Sequence, residues 1–255
     1  MCSRADEVCL ELVAIYKQFA GVHAVSNINL RVYKGERVAF IGPNGAGKTT
    51  LFNMINGEYY PTSGRIYMFG EDITRMPANK RVNRGMARTF QVTNLFQNES
   101  VLENVLLALM GTSRKDKLSL FTDLSKKKHL FEEADKLISN LGLSAYKNEF
   151  VRNLPYGDQR VVEIVLAMAS KPRIICLDEP NAGLSNKESR MIIDLINNQI
   201  GRDVTVLIIE HDIDLIFEVA DRIMVLSNGE EVAIGSKESI RSNPYVQKVY
   251  LGEEK

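Results

Sequence analysis

The octet Gly42-Pro43-Asn44-Gly45-Ala46-Gly47-Lys48-Thr49 limits what this chain can fold into more than any other stretch. It follows the apolar run Val38-Ala39-Phe40-Ile41 and precedes the helix-compatible Thr50-Leu51-Phe52-Asn53-Met54-Ile55. Strand, glycine-rich loop and helix in that order make G-x-x-x-x-G-K-[ST] a phosphate site. Glycines let the backbone curl until successive N–H groups face one anion. The helix that follows adds its positive dipole end and its unsatisfied donors. In such a loop the Lys48 ammonium reaches the β- and γ-phosphates and the Thr49 hydroxyl ligates Mg²⁺. Gly42 through Thr50 are therefore the candidate contacts of a bound nucleoside triphosphate.

The chain has 255 residues, the upper size for one domain and ample for a buried core. Acidic and basic residues balance at 32 each, so bulk charge argues for neither nucleic acid nor an anionic membrane as partner. No apolar run approaches the ~18 to 20 residues that span a bilayer. Met1 to Glu7 carry no apolar signal region. Cys2, Cys9 and Cys176 include no C-x-x-C pair, which fits a reducing compartment and excludes a disulfide scaffold or zinc site. These features lead to the expectation of a cytoplasmic α/β protein.

Two alternating segments open the chain: Val8 to Val13, then Ile28, Leu30 and Val32 on one face of a second strand. Gly64 to Gly70 reads as another short strand between turns. From Ala78 to about Phe150 the pattern turns helical, including Val101 to Met110 and Leu130 to Leu141. Residues 111–129 are polar and lysine-rich, with Lys126, Lys127 and Lys128 read as a solvated surface insertion. A helix is expected from Asp158 to about Ser170, the strand Arg173 to Leu177, a helix near Lys187 to Asn198, and the strand Val204 to Ile209. Strands Arg222 to Leu226 and Glu230 to Ile234 precede short C-terminal helices. Strands alternating with helices at both ends argue a parallel-sheet α/β core, with the helical middle inserted into it.

Ile174-Ile175-Cys176-Leu177 ends in the adjacent carboxylates Asp178 and Glu179. Neighbours in a strand point to opposite faces, so the two are expected to differ in role. Beside a phosphate loop, Asp178 suits Mg²⁺, partly through water, leaving Glu179 to orient and polarise an attacking water. The pairing predicts hydrolysis as well as binding.

Four further features complete a pattern. Gln91 lies in Arg88-Thr89-Phe90-Gln91, His211 follows the strand Val204 to Ile209, and Leu154-Pro155-Tyr156-Gly157-Asp158-Gln159-Arg160 precedes a helix. Phe19 stands in a glycine-bearing turn upstream of the phosphate loop. In order and spacing these resemble the nucleotide-binding subunits of ABC transporters over essentially the whole chain.

The resemblance implies a single ABC ATPase domain over residues 1–255. Its P-loop NTPase (RecA-like) core would take about 1–90 and 160–235, with a parallel sheet and an N-terminal antiparallel β-subdomain. A helical subdomain would span about 91–159, and C-terminal helices about 236–255. It also implies that Phe19 lies under the adenine and that Gln91 touches Mg²⁺ and the water and signals to membrane subunits. His211 would be the switch histidine at the γ-phosphate, and Ala182-Gly183-Leu184-Ser185 the D-loop. Leu154, Pro155, Tyr156, Gly157, Asp158 and Gln159 would form the signature facing a partner's ATP.

Cofactors would be ATP and Mg²⁺. Partners would be transmembrane permease subunits, a second ATPase subunit and, indirectly, a periplasmic or extracellular substrate-binding protein, with the chain peripheral on the cytoplasmic face of the cell membrane and no nucleic acid involved. Arg-Thr-Phe-Gln at 88–91, the insertion near 111–129, the variant signature and the ending Val249-Tyr250-Leu251-Gly252-Glu253 most resemble the branched-chain amino-acid importer group. Urea and short-chain amide importers and the ATPase of lipopolysaccharide export share several of these features. A soluble ABC-type ATPase uncoupled from transport generally holds two cassettes or a long coiled coil, and a regulatory subunit with little turnover is opposed by Glu179 and His211.

The chain departs from the usual Leu-Ser-Gly-Gly-Gln signature. Pro155 stands where the serine hydroxyl would meet the partner's γ-phosphate, and proline donates from neither side chain nor backbone. Tyr156 replaces the first glycine, while the Gly157 amide and the helix N-terminus are expected to stay available. An asymmetric dimer with a non-identical partner follows from this reading. Ser185 stands where many relatives have aspartate.

Overall fold

The computed structural model describes residues 7–89, 95–112 and 127–247. The chain runs β1 (Val8–Phe19), β2 (Val22–Tyr33), β3 (Arg37–Ile41), α1 (Lys48–Asn56), β4 (Ser63–Met68), β5 (Glu71–Asp72), α2 (Ala78–Val82) and β6 (Met86–Arg88). It continues through α3 (Val101–Thr112), α4 (Lys128–Asn140), α5 (Tyr156–Met168), β7 (Ile174–Asp178) and α6 (Asn186–Asp194). It closes with β8 (Thr205–Ile209), α7 (Ile213–Val219), β9 (Arg222–Ser227), β10 (Glu230–Gly235), α8 (Lys237–Arg241) and α9 (Pro244–Val246).

Two sheets organise these elements. One is antiparallel, in the order β2-β1-β4-β5; the other has six strands in the order β10-β9-β3-β8-β7-β6. Within the second, β9, β3, β8, β7 and β6 are mutually parallel and β10 returns antiparallel at the edge. Every residue of β3, β7 and β8 is buried, as expected of strands covered on both faces.

The period-two alternation divides their side chains between two cores. Val38, Phe40, Ile174, Cys176, Leu207 and Ile209 pack with α1 and the antiparallel sheet. Ala39, Ile41, Ile175, Leu177, Val206 and Ile208 pack on the other face with residues of α3, α4 and α5. The inserted helices thus share a continuous core with the sheet. The expected division near residue 160 falls within α5.

Several expectations need correction. The first strand runs on to Phe19 instead of ending at Val13, because its outer half pairs with β2 although it buries little. The segment 78–150 is not wholly helical: β6 is a short edge strand, Met86-Ala87-Arg88, too brief to show a period. Helix α6 ends at Asp194 and a π turn, Leu195–Gln199, follows; the buried Arg37 guanidinium donates to carbonyls of Ile196 and Ile200 there. The seven-residue α7 was not foreseen. Lys127 is buried, not solvated, whereas Lys128 is exposed beside Glu132; Lys126 and residues 113–125 of the insertion lie outside the described residues. The motif ending at 249–253 also lies outside them.

Arg81 fixes the rear of the phosphate-loop helix. Its guanidinium is buried, donating to the carbonyls of Met54 (2.7 Å) and Ile55 (2.5 Å) at the end of α1, and of Ile73 (2.7 Å) and Met76 (2.8 Å). A cation at a helix C-terminus meets the negative end of the dipole. Burial lowers its pKa to about 10, so it stays charged at neutral pH. Arg81→Met leaves these carbonyls without their donor; the expected cost is about 3 kcal/mol, read from urea unfolding.

Candidate functional site

The carboxyl ends of four neighbouring parallel strands converge. β3 feeds the phosphate loop, β8 ends before Glu210 and His211, β7 ends at Asp178, and β6 ends at Arg88. In this arrangement ligands bind at the crevice beyond the strand ends.

The loop has the shape that its glycines predict. Gly47, at φ 96°, precedes α1; a β-carbon there would lie 2.4 Å from the Ala24 carbonyl oxygen, and one at Gly42 would lie 2.3 Å from that of Leu226. Only glycine fits either place, so the backbone cradle fits a phosphate group. Ala46 is buried, while Pro43, Asn44 and Gly45 are exposed. The Lys48 ammonium donates back across the loop to the carbonyls of Gly42 (2.6 Å) and Pro43 (3.1 Å). Burial lowers its pKa and the charge of Glu179 partly opposes that shift, so the ammonium and this carboxylate sense one another. Thr49 and Thr50 occupy the first turn of α1, Thr49 exposed.

Asp178 is buried at the end of β7, and its Oδ2 accepts from Arg88 at 2.8 Å. The rule that strand neighbours oppose each other does not reach Glu179, because β7 ends at Asp178 and Glu179 sits at φ 47°. That left-handed conformation is uncommon for a non-glycine residue. It is held by the Glu179 amide donating to Ile209 O at 2.9 Å, and it brings Glu179 Oε1 to 3.1 Å from His211 Nε2. The carboxylate and the imidazole expected from the sequence therefore meet.

Glu210 is a site residue that the sequence reading passed over. It is buried, and it accepts from the amides of Asn181 (2.8 Å), His211 (2.9 Å) and Asp212 (3.4 Å), tying the loop after β7 to the loop after β8. Burial raises its pKa. The available signal was an acidic residue directly after the apolar run Val206 to Ile209.

Among the described residues no cluster of three or more His, Cys, Asp or Glu is arranged to hold a metal. Mg²⁺ at nucleotide sites typically takes one or two protein oxygens and completes its shell with phosphates and water. Thr49, exposed in the first turn of α1, and Asp178, buried at the end of β7, carry oxygens of that kind. Gln91 lies outside the described residues. Phe19 ends β1, 40% exposed, edge-on to Tyr59 at 5.4 Å with the Lys17 ammonium 4.7 Å from its ring.

A family model described as "ABC transporter" matches residues 25–182, from within β2 to the loop after β7. The chain belongs to the ABC transporter ATP-binding family. It is 39% identical to the high-affinity branched-chain amino acid transport ATP-binding protein LivG of Escherichia coli K12, over 96% of this chain and 98% of that one. It is 40% identical to BraF of Pseudomonas aeruginosa, described in the same words, over the same shares. Among solved structures it matches the ADP conformation of MJ1267, an ATP-binding cassette of an ABC transporter, with TM-score 0.85 and 32% identity over 96% of this chain and 99% of that one. As a member of the family it is an ATP-binding, ATP-hydrolysing transporter subunit, of a kind that pairs and works with transmembrane permease components. No helix among its described residues is long and apolar enough to cross a membrane.

The signature segment opens α5. Leu154 is buried, Pro155 is the N-cap with no side-chain hydrogen bond, and Tyr156 accepts through its hydroxyl from Arg160 at 2.7 Å. Gln159 turns back to donate to Leu154 O at 3.0 Å. Asp158 is buried, which raises its pKa.

The Gly157 amide is not left open as expected: it donates to Glu188 Oε1 at 3.2 Å. Glu188 belongs to α6, where it forms a capping box with Ser185, accepting from the Ser185 amide (2.8 Å) and hydroxyl (2.6 Å). These bonds lower the Glu188 pKa, the Ser185 hydroxyl most. Ser185 therefore caps its own helix and orients the carboxylate that meets the first turn of α5. Ser185→Ala is expected to cost about 1 kcal/mol. A thermal melt should show the midpoint fall by about 2–4 °C.

Proposed function

We propose that this chain powers the import of branched-chain amino acids. Its partners would be transmembrane permease subunits, a second and non-identical ATPase subunit, and indirectly a periplasmic or extracellular substrate-binding protein, with the chain at the cytoplasmic face of the membrane. The observation that carries the substrate is the similarity over 96% of the chain to LivG and BraF, whose names state branched-chain amino acid transport. Residues 91–159 would act as the helical unit that meets the permease, with 1–90 and 160–235 as the ATPase core and 236–255 as C-terminal helices.

In this reading the side chains divide the work. Phe19 stacks on adenine. The loop from Gly42 through Thr50 binds the phosphates through the backbone amides it has (Pro43 carries none) and the Lys48 ammonium, the lysine trading the Gly42 and Pro43 carbonyls for phosphate oxygens. Thr49, Asp178 and Gln91 would hold Mg²⁺, which would supply neutralisation of phosphate charge. Glu179 orients and polarises the attacking water. His211, 3.1 Å from Glu179, fixes that carboxylate and contacts the γ-phosphate, and Glu210 holds the His211 turn from behind. The residues from Leu154 to Gln159 face the partner's nucleotide.

Tagged Glu179→Gln protein, expected to bind ATP without turnover, tests the assembly. Membranes solubilised with ATP and Mg²⁺ should yield two membrane proteins and a second ATPase bearing a signature serine, identified by mass spectrometry. Recovery of soluble proteins alone would overturn the transporter assembly. Restoring the missing hydroxyl with Pro155→Ser should raise ATP turnover of the assembled complex about ten- to a hundredfold, as one hydrogen bond to a charged group is worth roughly 1.5–3 kcal/mol. Unchanged turnover would show that the signature is not weakened.

A further inference from the structure

Arg88 lies where the core sheet gives way to the segment containing Gln91, and it makes a fork. One guanidinium nitrogen donates to Asn53 Oδ1 at 2.7 Å and another to Asp178 Oδ2 at 2.8 Å. The pair is well shielded, with side-chain exposures of 14% for Arg88 and 1% for Asp178. Asn53 stands four positions after Thr49 on α1, so the two share a helix face one turn apart. A single planar group therefore spans the helix that carries Thr49 and the strand end that carries Asp178. Thr89, the next residue, adds a second fastening: its hydroxyl accepts from the Asp178 amide at 3.3 Å, and its own amide donates to Cys176 O at 2.9 Å.

We infer that Arg88 is a positioning residue for the divalent cation, bridging α1 to Asp178 so that the Thr49 hydroxyl and the second carboxylate oxygen of Asp178 stand at a fixed separation. The inference rests on the reading of Thr49 and Asp178 as the Mg²⁺ side chains. A bidentate fork suits this task better than a point charge, because it fixes direction at both ends. With Oδ2 committed to Arg88, the carboxylate is oriented to offer Oδ1 to the metal. Groups that orient metal ligands in this way typically contribute 10- to 100-fold in metal affinity.

The test measures Mn²⁺ binding to ATP-loaded protein by electron paramagnetic resonance, in a Glu179→Gln background. Arg88→Met should weaken Mn²⁺ binding about tenfold or more, while binding of a fluorescent ATP analogue in EDTA changes less than about twofold. Arg88→Lys keeps the charge but cannot reach both partners, and should show most of the same loss. Asn53→Ala, which cuts only the α1 arm, should weaken Mn²⁺ by a smaller factor and serves if Arg88→Met does not fold by thermal melt. Unchanged or tighter Mn²⁺ binding in Arg88→Met, or wild-type affinity in Arg88→Lys, would overturn the bridge. Asp178→Asn is the control. If it leaves Mn²⁺ affinity intact, the underlying metal reading fails; if it alone weakens binding, the role of Arg88 fails.

Discussion

The central parallel strands are buried on both faces, and the rest of the molecule follows from that constraint. A charged side chain within β3, β7 or β8 would need a partner in an apolar interior, where an unpaired charge is very costly. Arg37, the one charged residue that opens such a strand, meets the condition with helix-end carbonyls. The one other charge in these three strands, Asp178, stands at a carboxyl end. Lys48, Asp178, Glu179 and Glu210 stand there together because the sheet admits them nowhere else, and the parallel direction puts all those ends on one side.

Two kinds of contact then turn a crowded edge into a defined site. Fixed backbone geometry makes the cradle, since a β-carbon at Gly42 or Gly47 would collide with carbonyls of β9 or β2. Charge-assisted bonds set the side chains: Arg88 on Asp178, His211 beside Glu179, and Glu210 on three amides of the loops after β7 and β8. Each fastens one strand end to another element, so movement of one loop is felt by its neighbours. The Glu188 carboxylate extends the same logic to the signature helix, linking Gly157 to the capping box of α6.

Much of this was legible in the sequence because local patterns suffice for it. The octet at 42–49, the apolar run before Asp178 and the apolar run Val206 to Ile209 each announce their element and its end. The elements misjudged were those whose order comes from neighbours. β6 is a three-residue strand fixed by pairing with β7, and the outer half of β1 is fixed by β2. The burial of Lys127 likewise has no counterpart in its charge run.

The sequence by itself determined the phosphate loop, the order of the longer strands and helices, and the identity of the chemical groups, because backbone propensity and hydrophobic period act over a few residues. Only the tertiary structure decided which of those groups face each other. Arg88 and Asp178 are 90 positions apart, and Gly157 and Glu188 are 31 apart. Such pairs form when sheet order and helix packing bring distant segments within hydrogen-bond reach. The left-handed turn at Glu179 has the same origin: its cost is met by the hydrogen bond to Ile209 on the adjacent strand, which no local pattern records.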